Sequence, residues 1–108
     1  LCGGVLDGMR VLSEDVVDLF TRRADLAPAS TWALGWDTVS SGGSSSGRYF
    51  SERSFGSLGF TGTSIWIDPE RDLGVVLLTN RVHPTRDNWK IKALRPAFHD
   101  AVSEALRE

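Results

Sequence analysis

The chain has 108 residues, 41% of them hydrophobic, which suits one small domain with a core and argues against wholesale disorder. Twelve basic against fourteen acidic residues leave a formal net charge of −2, and Arg22-Arg23 is the one adjacent basic pair, so no basic stripe for nucleic acid is present. A single cysteine, Cys2, excludes an internal disulfide and a cysteine-rich metal site, and the longest apolar run, Val75 to Leu78, is far short of a membrane span.

In chain order, residues 1–8 read as a turn-rich stretch with Gly3, Gly4 and Gly8 around a short apolar pair. Ser13 is a good N-cap, Glu14 and Asp15 favour the positive end of a helix, and Arg22-Arg23 favour its negative end. With Val16, Val17, Leu19 and Phe20 as an apolar face, a helix is expected from about Ser13 to Arg23. Thr31 to Val39 reads as a strand, because Trp32, Leu34 and Trp36 fall at period two. Ser40 to Gly47 contains only Ser and Gly and reads as a flexible loop. Gly43-Ser44-Ser45-Ser46-Gly47 matches Gly-x-Ser-x-Gly formally, but a nucleophile elbow needs a strand before it and a helix after it, so the loop reading stands.

Ser54 to Thr63 reads as a Gly-rich turn feeding a strand at Ser64-Ile-Trp-Ile-Asp68. Asp68-Pro69-Glu70-Arg71-Asp72 supplies turn chemistry, and Leu73 to Asn80 returns as a second strand. Its near-continuous apolar run is the pattern of a strand buried on both faces. Trp89, Ile91, Leu94, Phe98, Ala101, Val102, Ala105 and Leu106 follow helical spacing, with Pro96 either kinking one helix or opening a second. The order helix, three strands, helix argues for an α+β fold, helices flanking an antiparallel sheet, in one domain over residues 1–108.

Phe55 to Arg86, with Gly59-Phe60-Thr61-Gly62-Thr63-Ser64, Ile67-Asp68-Pro69-Glu70 and Leu77-Leu78-Thr79-Asn80-Arg81-Val82-His83-Pro84, resembles the C-terminal part of the β-lactamase-like serine hydrolases. That superfamily groups class C β-lactamases, penicillin-binding D-peptidases and related esterases. The likeness extends more weakly to Gly3 to Ser13 and to Leu34-Gly35-Trp36. It implies the C-terminal portion of the β-lactamase/DD-peptidase-like fold, with the first two strands and the nucleophile region upstream of Leu1.

The superfamily works through Ser-x-x-Lys, where a lysine one helical turn away takes the serine's proton. A Tyr-x-Asn and a strand-borne Lys-Thr-Gly or His-x-Gly complete the set. Here no serine has lysine at i+3, the lysines are Lys90 and Lys92, and the single tyrosine reads Tyr49-Phe50-Ser51. The chain alone is therefore expected to be inactive. The third motif's place is taken by Ser57-Leu58-Gly59, whose serine donates a hydrogen bond but brings no charge to a substrate carboxylate. The resemblance gives the Phe60 backbone N–H the role of an oxyanion donor. It puts Ser57, Leu58, Gly59, Asn80 and Arg81 along the substrate, with Arg81 able to offer the cation that Ser57 lacks. Read locally, the same glycines shape a tight turn, Asn80 caps, and Arg81 is solvated.

His83 and His99 have no ligand spacing, nothing supplies Cys2 with a basic partner, and neither metal nor cofactor is expected. The four tryptophans read as core and strand faces. The expected partners are the upstream part of the same polypeptide or another copy of the chain, and a small-molecule or peptide substrate: a β-lactam, a D-amino-acid peptide or an ester. The missing charge at Ser57 favours an ester or amide over an anionic β-lactam. The competing reading is a non-catalytic scaffold that kept the fold and lost the chemistry.

Overall fold

The computed structural model describes residues 2–107. Val5–Leu6 (β1) and Met9–Arg10 (β2) pair antiparallel, Val5 opposite Arg10 and Leu6 opposite Met9. Asp7 and Gly8 between them have φ of 48° and 78°, as a two-residue hairpin turn demands. The turn-rich stretch is thus a small hairpin, with Leu1 outside the described residues.

Helix α1 spans Glu14–Thr21, with the Ser13 Oγ accepting the Val16 N–H at 3.3 Å and Arg22 as its C-cap. The helix therefore stops short of Arg23. None of its residues is buried, and Val16, Leu19 and Phe20 remain 37%, 42% and 47% exposed. Its apolar face is uncovered by the described residues.

The strand expected over Thr31 to Val39 is corrected to Asp37–Thr38 (β3), with one isolated bridge from Trp32 to Asp37. Gly35 adopts a φ of 87° and the Ala33 N–H donates to the Trp36 carbonyl at 2.8 Å, so the chain doubles back there. The three residues at period two consequently do not share a face. Trp32 is exposed, whereas Trp36 packs edge-on against Phe55 with ring centroids 5.3 Å apart. Residues 40–47 form a loop, but a fastened one. Ser44 and Ser46 are buried, the Ser45 Oγ accepts the Trp66 Nε1–H at 3.2 Å, and Arg48 donates from N and Nε to the Asp100 carboxylate.

The stretch read locally as a Gly-rich turn before Ser64 carries its own strand, Phe55–Leu58 (β4), ahead of the turn at residues 59–63, in line with the strand-borne place the resemblance gives Ser57. Ser64–Asp68 (β5) and Leu73–Leu77 (β6) form the expected hairpin, with Ser64 opposite Leu77 and Asp68 opposite Leu73. The sheet order is β3-β4-β5-β6, antiparallel throughout, which leaves β6 at an edge. Asp68 is fully buried at the hairpin's end, where its carboxylate accepts from the Ser51 N–H and Oγ–H and from the Glu70 N–H. The strand β6 is covered on one face only: Val75 is buried while Val76 is 55% exposed. This corrects the reading of a strand buried on both faces.

One continuous helix, Ile91–Ala105 (α2), contains Pro96 and covers the face of the sheet that Trp66 and Val75 present. Phe98 and Val102 pack on the core of Phe50, Trp66 and Val75, joined by Val39 and Leu73. The helix's buried stripe is Ile91, Arg95, His99 and Ser103, at strict i+4 spacing. The expected apolar stripe holds at Ile91, Phe98 and Val102, but Trp89, Leu94 and Leu106 are exposed and three polar residues share the buried face. The tryptophan expectation holds for Trp66, which has no exposed surface, but Trp32 and Trp89 lie outside.

Candidate active site

Strand β4 brings Ser57 opposite Ile65 and Leu58 opposite Ser64. Phe55 and Gly56 are buried, while Ser57 and Leu58 are exposed. Gly56 has to be glycine, since a Cβ there would press on the Ile65 carbonyl and the Trp66 ring. Ser57, Leu58 and Gly59 line a shallow open groove together with Ile65, Val76 and Leu78. Among the described residues the Ser57 hydroxyl has no hydrogen-bond partner, so it is free to meet a ligand there.

The turn that follows is held by its carbonyls. The Gly59 oxygen accepts the Gly62 N–H at 3.0 Å and Arg95 Nη2 at 2.9 Å. The Phe60 oxygen accepts Arg81 Nε at 2.9 Å. Thr61 accepts the Arg81 backbone N–H at 2.9 Å and the Thr79 hydroxyl at 3.0 Å. Gly62 accepts Arg95 Nε at 3.1 Å, and Thr63 accepts the Gly59 N–H at 2.8 Å and Arg95 Nη2 at 3.2 Å. Every carbonyl from residue 59 to 63 is therefore engaged, whereas the Phe60 N–H meets no acceptor among the described residues. Gly62 has a φ of 96°, and a Cβ on it would strike Thr79 Oγ1. Together these contacts make a rigid turn that presents a backbone donor.

Arg81 is a clamp, where the resemblance let it offer a cation and the local pattern left it solvated. Beyond Phe60, its Nη1 donates to the carbonyls of Arg86 at 2.7 Å and Asn88 at 3.1 Å. Its guanidinium lies 4.8 Å from the Phe60 ring centre and 4.7 Å from that of Trp89. The last strand stops at Leu77, so Asn80 and Arg81 belong to the segment beyond it, not to the strand end. Asn80 is exposed between Thr79 and Arg81, both of which bond to Thr61. Ser57, Leu58, Gly59, Phe60 and Arg81 thus share one corner of the molecule, with Asn80 at its rim.

Arg95 and His99 form the buried polar layer behind that corner. Burial, and secondarily the charge of Arg81, lower the Arg95 pKa from the ordinary arginine value. His99 has no exposed surface; its Nε2 lies 3.4 Å from the Ser64 Oγ, and its buried Nδ1 has no partner among the described residues. Its pKa is lowered by burial first and by the charge of Arg95 second, against a smaller opposing influence from Asp100. The imidazole is therefore held neutral. Sequence reasoning passed over Arg95, although its place four residues from both Ile91 and His99 marks a charged residue on a buried stripe. The described residues contain no cluster of three His, Cys, Asp or Glu side chains able to hold a metal. No helix among them is long and apolar enough to cross a membrane.

A model of the Beta-lactamase family matches residues 4–95. The chain belongs to that family. Among curated relatives, N-acetylmuramyl-L-alanine amidase of Bacillus subtilis is 39% identical over 85 residues, covering 74% of this chain and 18% of that protein. A Salmonella gallinarum protein provisionally named D-alanyl-D-alanine carboxypeptidase is 34% identical over 95 residues, covering 84% of this chain and 21% of its own. A solved β-lactamase from Mycobacterium bovis superposes with a TM-score of 0.73 at 26% identity, over 88% of this chain and 38% of that one. The relatives' names are those of hydrolases, and the α+β fold is that of a β-lactamase. The chain spans about a fifth of the length of these curated relatives.

Proposed function

We propose that this chain is the C-terminal segment of a serine hydrolase that attacks an amide or ester carbonyl, forms an acyl-serine and releases it to water. In this reading β4 and its turn are one wall of the cleft. Phe60 supplies an oxyanion donor, Gly59 lets the substrate lie against the backbone, and Ser57 offers a neutral hydrogen bond. The serine and the lysine that activates it belong to a longer polypeptide. The observation that carries the reading is the Phe60 N–H, directly after Ser57-Leu58-Gly59 and without an acceptor among the described residues, in a turn whose carbonyls are all engaged. An oxyanion donor has to be pre-aimed and unoccupied in this way, and removing one such donor costs about 100- to 1,000-fold in kcat.

Substrate preference follows from charge. Ser57 brings none, and Arg81, with Nε and Nη1 committed to three carbonyls, keeps its charge but has few N–H groups left to grip a substrate carboxylate. Uncharged esters and amides suit it better than anionic β-lactams. The test is to express the complete coding region that contains this chain and to measure turnover of nitrophenyl esters, a chromogenic β-lactam and a D-alanyl-D-alanine peptide. Ester turnover should exceed β-lactam turnover, and Ser57→Lys should raise the rate on the anionic substrates. Absence of turnover on all three would defeat the proposal. The second reading, a scaffold without chemistry, draws on the same uncharged Ser57 and would then take its place.

A further inference from the structure

We propose that Arg95, assisted by Arg81, is a positioning residue that aims the Phe60 N–H at the reacting carbonyl; this rests on the hydrolase reading above. The argument begins with the peptide plane. In a trans peptide the carbonyl of one residue and the N–H of the next are rigidly opposed. The N–H of Phe60 therefore points away from whatever holds the Gly59 oxygen. Arg95 Nη2 holds that oxygen at 2.9 Å, from the side of α2. The donor is thus directed away from the arginine, outward from the helix.

The second peptide plane at Phe60 is held as well, because Arg81 Nε grips the Phe60 oxygen at 2.9 Å. With both flanking planes held, neither torsion at the Phe60 Cα can change without breaking a charge-assisted hydrogen bond. Arg95 further ties Gly62 and Thr63, so one guanidinium spans the turn. A planar fork can do this, and a lysine ammonium cannot reproduce it. Arg95 is also nine-tenths buried, and its charge on the Gly59 oxygen polarises that peptide and strengthens the N–H as a donor. The Arg95 and Arg81 contacts meet on the two peptide planes that flank Phe60, whose N–H has no acceptor among the described residues.

The test uses Arg95→Lys and Arg81→Lys, which keep the charge and remove the fork. In the full-length gene product, kcat per titrated active site should fall about 10- to 100-fold for Arg95→Lys, as expected when a donor shifts by about 1 Å, with KM changed less than about threefold. Arg81→Lys should show a smaller loss of the same kind. Titrating active sites removes any contribution from misfolded protein. Unchanged kcat per site in both variants would overturn the inference. A second readout uses the same full-length proteins and needs no turnover. The Phe60 amide order parameter should drop from the rigid range near about 0.85 towards about 0.6 in Arg95→Lys. An unchanged value would overturn the clamp. If the unmutated full-length protein turned over no substrate, the hydrolase reading and the catalytic consequence would both fall, while the Phe60 measurement would still judge the clamp.

Discussion

The Nε2 of His99 lies 3.4 Å from the Ser64 Oγ in a site closed to solvent, and its other ring nitrogen meets no hydrogen-bond partner among the described residues. This pair gives the fold a pH dependence. The His99 pKa is lowered in the folded chain, by burial and then by Arg95, so the unfolded chain binds the proton first as pH falls. The contribution is fully present above the unfolded value of about 6.5 and is lost as pH drops below it, by at most about 1.4 kcal/mol per pH unit until the folded group titrates. Urea midpoints between pH 7.5 and 5.5 should decline in the native chain and decline less in His99→Leu. Equal slopes would contradict the assignment.

Gly62 and Gly8 separate two costs of adding a methyl group at positive φ. Both have left-handed backbone, at 96° and 78°, but a Cβ at Gly62 strikes Thr79 Oγ1 and approaches Ile91, while at Gly8 it meets nothing. Gly8→Ala should cost about 1 kcal/mol from backbone strain alone. Gly62→Ala should cost clearly more, about 2–4 kcal/mol, because strain and overlap add. Denaturant titration reads both, and equal losses would refute the close packing of the turn.

The core turns on Trp66. It is fully buried and packs edge-on against Phe50 at 6.4 Å, with its Nε1–H held by Ser45. Trp66→Ala should cost about 3–5 kcal/mol, a large part of the stability of a domain this size. Trp66→Phe, which keeps an aromatic ring and drops the hydrogen bond, should cost less. Thermal unfolding of both variants would order them.

The free edge of β6 and the exposed Val76 and Leu78 predict association of the 108-residue chain on its own. Sedimentation should show concentration-dependent species, and Val76→Lys with Leu78→Lys should shift them towards monomer. A native chain that stays monomeric at high concentration would mean that this edge is not built to be paired.

Much of this was legible from local pattern. The hairpin of β5 and β6 announces itself through alternating Ser64-Ile-Trp-Ile-Asp68 and the Asp-Pro turn. Ser57 to Phe60 stood out through its family likeness. Residues 31–39 misled because tryptophans at period two mimic a strand, and one glycine at a φ of 87° reverses the chain. The stripe of α2 misled in part, for a different reason. Arg95, His99 and Ser103 are polar, so the periodicity of apolar residues finds Ile91, Phe98 and Val102 but not the polar part of the buried face. Their partners include main-chain carbonyls and hydroxyls 32 to 36 residues away, and such contacts leave no mark in local sequence. The same holds for Arg81, which read as a cation for substrate or as solvated and proved to be a clamp. Asp7-Gly8 carried a hairpin signal in plain view.

The most direct measurement is intact-mass spectrometry of the full-length gene product after brief exposure to an activated ester and, separately, to a penicillin. The account predicts a single acyl adduct, located by peptide mapping on a serine followed at i+3 by lysine and outside these 108 residues. It also predicts faster acylation by the ester. No adduct from either reagent, or an adduct on Ser57 or the Ser44 to Ser46 loop, would contradict the claim that this segment forms the oxyanion wall of a serine hydrolase.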